Sequence, residues 1–237
     1  MSTKDKAVQK TEDQPVVKVE SKVAPVTQSY VSAILEATKQ KFLAVNAGMD
    51  LDFVNMGESL KLNKKGIFVL RSDETQTFGD TLDVVIAKGE IRYMLWGAEK
   101  TPEAGTLLVS EKTPEAGQEM LEKLFIEFPE YEERYNVADI KINYAACVVP
   151  INTITPDETP EVYILFFPQT GSYSFGHYAM GVFKGDKSKG IPKNTGVNAV
   201  ITRVGNKEDQ GKDNKSYLAY TFESIGMFNP EDFGIKQ

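Results

Sequence analysis

The chain has 237 residues, carries a net charge of −7 and is 41% hydrophobic, a composition typical of a globular protein with its own core. Its single cysteine, Cys147, and single histidine, His177, exclude an intramolecular disulfide, a thiolate metal cluster and a multi-histidine metal site. No apolar run has the roughly 18–20 residues that span a bilayer, and the N-terminus lacks the apolar core of a signal peptide. We therefore expect a cytoplasmic protein with no cofactor, no metal and no membrane partner.

The first predicted elements are a tail and a helix. Residues 1–28 mix lysine, acidic residues, proline and valine without a sustained period, which predicts a disordered N-terminal tail. Residues 29–45 start at Ser29, an N-cap residue type, and their apolar residues follow helical spacing at Val31, Ile34, Leu35, Phe42 and Val45. This pattern predicts an amphipathic helix that packs on a sheet.

From Leu60 onward, three runs are rich in β-forming residues: LKLNKKGIFVL, TLDVVIAK and EIRYMLW. The tetrapeptides NKKG and AKGE, between or within these runs, are turn candidates because they combine glycine with polar residues. We expect a meander of about three antiparallel strands in this part of the chain.

An identical seven-residue repeat, EKTPEAG, occurs at 99–105 and again at 111–117. We interpret the first copy as a loop tip and the second as the start of a helix, because Thr-Pro-Glu suits a first helical turn. A local duplication explains two short copies better than two binding sites do. Acidic residues concentrate between Glu99 and Arg134, which predicts a charged, solvent-facing helix.

A second β-rich block follows, with strand-like runs in DIKINYAACVVPIN, EVYILFFP, NAVITRV and YLAYTFESIGMF. A short helix is expected before NAVITRV, because Phe175, Tyr178 and Val182 have the spacing of a buried helical stripe. A polar loop precedes the last strand, and residues 229–237 are predicted to form a flexible C-terminal tail.

Motifs for catalysis are absent. The sequence has no G-x-S-x-G elbow, no phosphate-binding loop and no G-x-G-x-x-G after a strand. Cys147 lies in an apolar run, so we expect a buried, inert thiol, and His177 is expected to be a packed or surface residue. Carboxylates fall in solvated helical runs, and a carboxylate pair is the one catalytic alternative left. We expect a protein that is not an enzyme.

The stretch SYSFGHYAMGVFKGDKSKGIPKNTGVNAVITRVGNKEDQGKDNKSYLAYTFE, at 172–223, contains an aromatic-rich short helix, a V-I-T-R strand, a polar hairpin and a Y-x-x-Y-x-F strand. This order resembles the C-terminal half of single-stranded-DNA-binding proteins encoded by tailed bacteriophages, which resemble OB-fold proteins. GESLKLNKKGIFVL and LDVVIAKGEIRYMLWG are similar to the first strands of these proteins, so the resemblance covers residues 57–226.

The resemblance implies a mainly β fold with accessory helices (α+β). Residues 29–228 would form a single OB-fold-like domain, an antiparallel five-stranded barrel with an N-terminal helix and an inserted acidic helix at about 99–135. The helix at 173–184 would lie between the third and fourth strands, and the fourth strand would cover 197–204.

The resemblance also implies a non-catalytic, sequence-tolerant single-stranded-DNA-binding protein that acts in phage DNA replication or recombination, in the host cytoplasm, with phage replication or recombination proteins as further partners. Such proteins stack bases on aromatic rings and track phosphates with cations. The candidate stacking residues are Trp96, Tyr93, Tyr173 and Phe68. The candidate cations are Lys64, Lys65, Arg92, Lys184, Lys187, Lys189, Lys193, Arg203 and Lys212.

A structural or interaction protein is the alternative, such as a virion component or an accessory scaffold whose β-rich body binds protein and not DNA. The acidic segment at 99–134 and the N-terminal tail would then be the interaction surfaces. The aromatic stripe between Phe175 and Phe183 fits a core helix as well as a binding face, and the basic loop fits a solvated hairpin as well as a phosphate-binding arm.

Overall fold

The computed structural model describes residues 57–156, 158–211 and 216–235, together with residues 33, 36, 37, 39–41, 43 and 44. The described residues between 33 and 44 are helical, where the sequence predicts a helix. Lys41 ties this segment to the loop before the seventh strand, because its Nζ donates to Thr159 Oγ1 at 2.6 Å. The predicted tail at 1–28 and the candidate cation Lys212 lie outside the described residues.

Between residues 57 and 235, the described chain forms one sheet and two α-helices. The nine strands are β1 (Glu58–Leu62), β2 (Phe68–Leu70), β3 (Thr77–Gly79), β4 (Leu82–Trp96), β5 (Leu107–Glu111), β6 (Lys141–Pro150), β7 (Tyr163–Pro168), β8 (Val200–Gln210) and β9 (Ser216–Met227). The helices are α1 (Pro114–Glu127) and α2 (Gln169–Lys184), and short 3-10 turns lie at 129–131, 137–139, 151–153, 187–189, 197–199 and 230–233. None of the described helices is long and apolar enough to cross a membrane.

The strand order is β3-β2-β1-β7-β6-β4-β8-β9, with β5 paired to β4 beside this path. All pairs are antiparallel except β1 with β7, which run parallel. The sheet curls into an open half-barrel, and the curl brings the β1–β2 turn to β8, where Asn206 Nδ2 donates to the Gly66 carbonyl at 2.8 Å.

This architecture confirms the mainly β fold with accessory helices and shows that the closed five-stranded barrel is wrong. The sheet has nine strands, and β3 and β9 are its two edges rather than paired neighbours. The strand β4 is the main cause, because its 15 residues pair with three different strands, β5, β6 and β8. A strand of that length extends the sheet beyond what a small barrel can close.

The turn candidates have different outcomes. NKKG forms the β1–β2 turn, with Gly66 at a φ of 75° and its amide donating to the Asn63 carbonyl at 3.0 Å. AKGE instead lies inside β4, at a bulge between Ile86 and Lys88. A Cβ on Gly89 would lie 2.2 Å from Tyr144 Oη, so glycine is needed here for close packing of a cross-strand side chain and not for a turn.

The main core fills the concave side of the curled sheet. Alternate residues of each strand point into it, as the two-residue period of a strand requires. The fully buried members include Val84 and Phe167, and α2 contributes Phe175. This core holds α2 against β6, β7 and β9.

A second cluster lies on the opposite side of the sheet around Val85, Val149 and Phe228. The residues after β9 cover it, because Pro230 is buried and the Phe233 ring lies 5.4 Å from the Phe228 ring. Residues 230–233 therefore pack on the sheet, in the segment where the sequence predicts a flexible tail at 229–237. Residues 236–237 lie outside the described range.

The two copies of the EKTPEAG repeat have different structures, as the sequence predicts. The first copy forms the turns between β4 and β5. The second begins α1, where Thr113 is the N-cap and its Oγ1 accepts from the Ala116 amide at 3.2 Å. The helix then packs on the sheet through Gly117 and Leu121.

The first copy is anchored by Glu103, whose side chain is buried. The Tyr135 hydroxyl donates to Glu103 Oε1 at 2.6 Å, and Arg134 Nη1 donates to both carboxylate oxygens at 3.0 and 3.1 Å. The hydrogen bond from Tyr135, assisted by Arg134, lowers the pKa of Glu103 to about 2. The corresponding residue of the second copy, Glu115, is exposed in the first turn of α1.

We expect Glu103 to make stability depend on acidic pH. A carboxyl group whose pKa is depressed by folding contributes stability above its unfolded pKa of roughly 4.3 and loses it as the pH falls toward the folded value. Urea unfolding midpoints between neutral pH and pH of about 2.5 should therefore fall more steeply for the wild type than for Glu103→Gln. Glu115→Gln is the matched control and should keep the wild-type pH profile. Parallel profiles for wild type and Glu103→Gln would contradict this role.

Candidate nucleic-acid interface

The candidate interface is built on the outward side of α2. The helix follows β7 directly, and its inward side buries Gly171, Phe175 and Val182. Outward residues recur at spacings of four, three and four, the spacing of one helical face: Tyr173, His177, Met180 and Lys184, all exposed. Tyr173 is 65% exposed and Met180 is 54% exposed, so this face has no covering element within the described residues.

Packing and one hydrogen bond fix the position of α2. The Phe175 ring lies 4.9 Å from Tyr144 and 5.3 Å from Phe222, both on the concave side of the sheet. Tyr178 Oη and Thr202 Oγ1 are 2.6 Å apart, which links the helix to β8. Burial raises the pKa of Tyr178 to about 12.

A loop rich in lysine continues from the C-terminus of α2. Gly185 ends the helix with a φ of 78°, and the Asn194 amide donates to the Phe183 carbonyl at 2.7 Å, so the loop folds back against the helix end. Lys189 attaches the loop to the edge strand β9, because its Nζ donates to Glu223 Oε1 at 2.9 Å and to the Ser224 carbonyl at 2.7 Å. The loop is therefore fixed both to the end of α2 and to β9.

Three lysines of this region, Lys184, Lys187 and Lys193, are exposed and form no ion pair within the described residues. The only acidic residue between 169 and 193 is Asp186, whose carboxylate accepts from the Ser188 amide and hydroxyl. Helix C-termini also favour cations nearby. We name this region the helix–lysine surface; it consists of Tyr173, His177, Met180, Phe183, Lys184, Lys187 and Lys193.

The other predicted cations are not part of this surface. Arg203 forms a two-pronged ion pair with Asp83 on the neighbouring strand, at 2.7 Å for both bonds. Arg92 donates through Nε to Glu90 Oε1 at 2.8 Å. Lys64 and Lys65 are exposed on the β1–β2 turn, without an ion pair in the described part of the chain. The charge of Lys189 is neutralised by Glu223. Lys189 therefore contributes to the surface by holding the loop in place and not by supplying a free charge.

The predicted stacking residues differ in exposure. Phe68 is fully buried in the main core, so its prediction as a base-stacking residue is wrong; the alternation of β2 points it to the concave side. Tyr93 is half-buried beside α1, where a Cβ on Gly117 would lie 3.7 Å from Tyr93 Cβ. Trp96 is half-buried, and only Tyr173 is largely exposed.

Trp96 has a cationic neighbour that the sequence did not reveal. The Arg71 guanidinium lies 3.9 Å from the centre of the Trp96 ring, and the Phe166 ring packs edge-on at 5.8 Å. Arg71 Nε is buried without a hydrogen-bond partner in the described residues, and burial lowers the pKa of Arg71. Arg71 lies far from Trp96 in sequence and follows a short strand, so no local pattern could have identified the pair.

A cleft of about 420 Å³ lies beside Trp96. Its lining residues are Met94, Leu95, Trp96, Ala98, Arg134, Tyr135, Asp139, Lys141, Asn143 and Pro168. A volume of this size suits a small organic group. Arg134 is ion-paired with Glu103 and the lining includes Asp139 beside Lys141, so the cleft does not specifically favour an anionic one.

The single cysteine and the single histidine lie in different environments. Cys147 is half-buried on β6, and burial raises the pKa of its thiol, which disfavours the reactive thiolate. His177 is exposed on α2. Within the described ranges, no three histidine, cysteine or acidic side chains come together in a way that could hold a metal ion.

Comparison with known proteins gives no assignment. No family model, no characterised protein and no solved structure matches this chain.

Proposed function

We propose that the chain is a non-catalytic, sequence-tolerant single-stranded-DNA-binding protein, and that the helix–lysine surface is its principal DNA contact. The order of elements at 172–223, which resembles that of phage single-stranded-DNA-binding proteins, extends this proposal to phage DNA replication or recombination in the host cytoplasm. In this function, bases stack on Tyr173 while Lys184, Lys187 and Lys193 neutralise the phosphates that follow along the strand.

One observation carries the proposal: exposed rings and unpaired lysines lie together on α2 and the loop after it, and Asp186 is the only acidic residue between 169 and 193. Tyr173 and Phe183 are 65% and 51% exposed, although large aromatic side chains are normally buried. An acidic protein can bind DNA through such a region, because the local field and not the net charge attracts phosphate. Lys64 and Lys65, Trp96 with Arg71, and the half-buried Tyr93 would be secondary contacts for a longer strand.

The test is a fluorescence-anisotropy titration of labelled oligo-dT with the full chain at several salt concentrations. Affinity should fall steeply with salt, and the triple variant Lys184→Gln, Lys187→Gln, Lys193→Gln should reduce the slope of log K against log salt by about 2. Tyr173→Ala should weaken binding by about 1–3 kcal/mol without changing that slope.

Two matched variants control for nonspecific effects. Lys123→Gln removes an exposed lysine from α1, and Phe128→Ala removes a partly exposed ring near the end of the same helix. Neither should alter the affinity for oligo-dT. Absence of binding at micromolar protein in low salt would contradict the proposal. An unchanged salt slope in the triple variant would show that the DNA contacts a different surface of the protein.

A structural protein that binds protein is the second candidate function. The observation that favours it is on α1, where Ile126 is 83% exposed within a helix rich in glutamate. Size-exclusion chromatography with light scattering separates the two functions: large assemblies that are indifferent to salt and to oligo-dT would favour the structural function.

A further inference from the structure

The outward face of α1 carries a stripe that complements the outward face of α2. The inward side of α1 buries Gly117 and Leu121, and the opposite side carries Glu115, Glu119, Glu122 and Ile126, all exposed. No lysine or arginine pairs with these glutamates in the described residues; Glu122 accepts only from Gln118 Nε2, at 2.9 Å. Ile126 is the most exposed large hydrophobic residue described.

The two stripes have the same spacing in opposite chemical order. On α1 the acidic residues come first and the apolar residue last, at spacings of four, three and four. On α2 the apolar residue Tyr173 comes first and Lys184 last, at the same spacings. Each stripe spans about 16 Å at a rise of about 1.5 Å per residue.

Antiparallel contact of the two helices therefore matches the residues at both ends of the stripes. Glu115 would face Lys184, with Lys187 and Lys193 nearby, and Ile126 would face Tyr173. Glu119 and Glu122 would face Met180 and His177. Opposite charges at one end and apolar contact at the other are the arrangement that fixes both partner and direction at an interface. The antiparallel arrangement also opposes the two helix dipoles favourably.

A single chain cannot make this contact, because the inward sides of α1 and α2 pack on the same sheet and both stripes face away from it. We propose that the occupant of each stripe is a second copy of the chain, with α1 of one copy docked antiparallel on α2 of the next. The contact joins two different surfaces, so it continues from copy to copy as a chain or closes as a ring. The assembly requires no DNA.

The inference also places DNA and the second copy on the same residues. Competition between them rests on the proposed function, whereas self-association does not. If oligo-dT binds the helix–lysine surface, excess oligo-dT should dissociate the assembly. If the chain does not bind DNA, the assembly remains in excess oligo-dT. Failure of the DNA-binding proposal can therefore be told apart from failure of the self-association proposal.

The test is analytical ultracentrifugation of the full chain without DNA in low salt of about 50 mM and in about 300 mM salt, where screening is stronger. The wild type should form multiples of the single-chain mass in low salt and dissociate in high salt. Two triple variants should each be monomeric in low salt: Glu115→Lys, Glu119→Lys, Glu122→Lys, and Lys184→Glu, Lys187→Glu, Lys193→Glu.

Mixing the two variants is the decisive step, because each then supplies the charge that the other lacks. The mixture should regain the masses of the wild type in low salt. Ile126→Glu should dissociate the wild-type assembly, while Val137→Glu, at a residue 50% exposed outside the stripe, should not. A monomeric wild type in low salt, a mixture that stays monomeric, or equal effects of the two isolated substitutions would each overturn the inference.

Discussion

Replacing Phe167 by alanine should lower the free energy of unfolding by about 3–5 kcal/mol, the range for large-to-small substitutions of buried aromatic residues. Phe167 is fully buried near the end of β7, two residues before α2 begins. Its ring lies 4.9 Å from Phe222, 5.0 Å from Tyr220 and 5.8 Å from Phe175. Alanine would leave a cavity among three rings that belong to β9 and α2.

The measurement is urea unfolding followed by circular dichroism, with Phe166→Ala as the matched control. Phe166 is the preceding residue of the same strand, is half-buried, and points to the opposite side of the sheet against Trp96. The control should lose much less stability, because solvent can fill the space left by a half-buried ring. Equal losses for the two variants would contradict the assignment of the main core to the concave side of the sheet.

Most strands were predictable because their signal is local. The runs that became β2, β4, β6, β7, β8 and β9 are rich in β-branched and aromatic residues, which suit a pleated, half-buried surface. The pairing of β1 with β7 was not predictable, because it joins Leu60 to Leu165 across about a hundred residues and no local period records such a partner. The closed five-stranded barrel was implied by the resemblance, and it fails because β4 pairs with three strands.

Gly89 shows why the second half of β4 was misread. Glycine beside lysine has the composition of a turn. The structure uses this glycine for the close approach of Tyr144 from β6. The requirement comes from the partner strand, so it can be recognised only after the pairing of β4 with β6 is known.

The candidate site was predictable where exposure follows from helix geometry. Tyr173 and Lys184 lie opposite the buried stripe of α2, so the spacing that predicts a buried Phe175 also predicts their exposure. Whether an arginine on a strand is free to bind DNA was harder to predict, because its ion-pair partner comes from another strand. Arg203 is neutralised by Asp83, which the sequence places 120 residues away.

Removing the Tyr178 hydroxyl should cost about 1–3 kcal/mol of stability, because it leaves the Thr202 hydroxyl buried without a partner. Thr202 is fully buried, and Tyr178 Oη is the hydrogen-bond partner that joins this residue to α2. Tyr178→Phe and Thr202→Val should each destabilise the protein, because each leaves the other hydroxyl without its partner. The double variant removes both hydroxyls and should therefore recover most of the loss. Tyr173→Phe, which removes an exposed hydroxyl from the same helix, is the control and should unfold like the wild type.

The same cycle separates positioning of α2 from direct contact with DNA. Tyr178 points inward, so it can affect oligo-dT affinity only by holding the helix–lysine surface in place. Affinity should therefore fall in Tyr178→Phe and recover in the double variant, with the salt slope unchanged throughout because no lysine is altered. Affinity that stays low in the double variant while stability recovers would mean that the Tyr178 hydroxyl contacts DNA itself. Stability losses that simply add in the double variant would show that this hydrogen bond does not join α2 to β8 in solution.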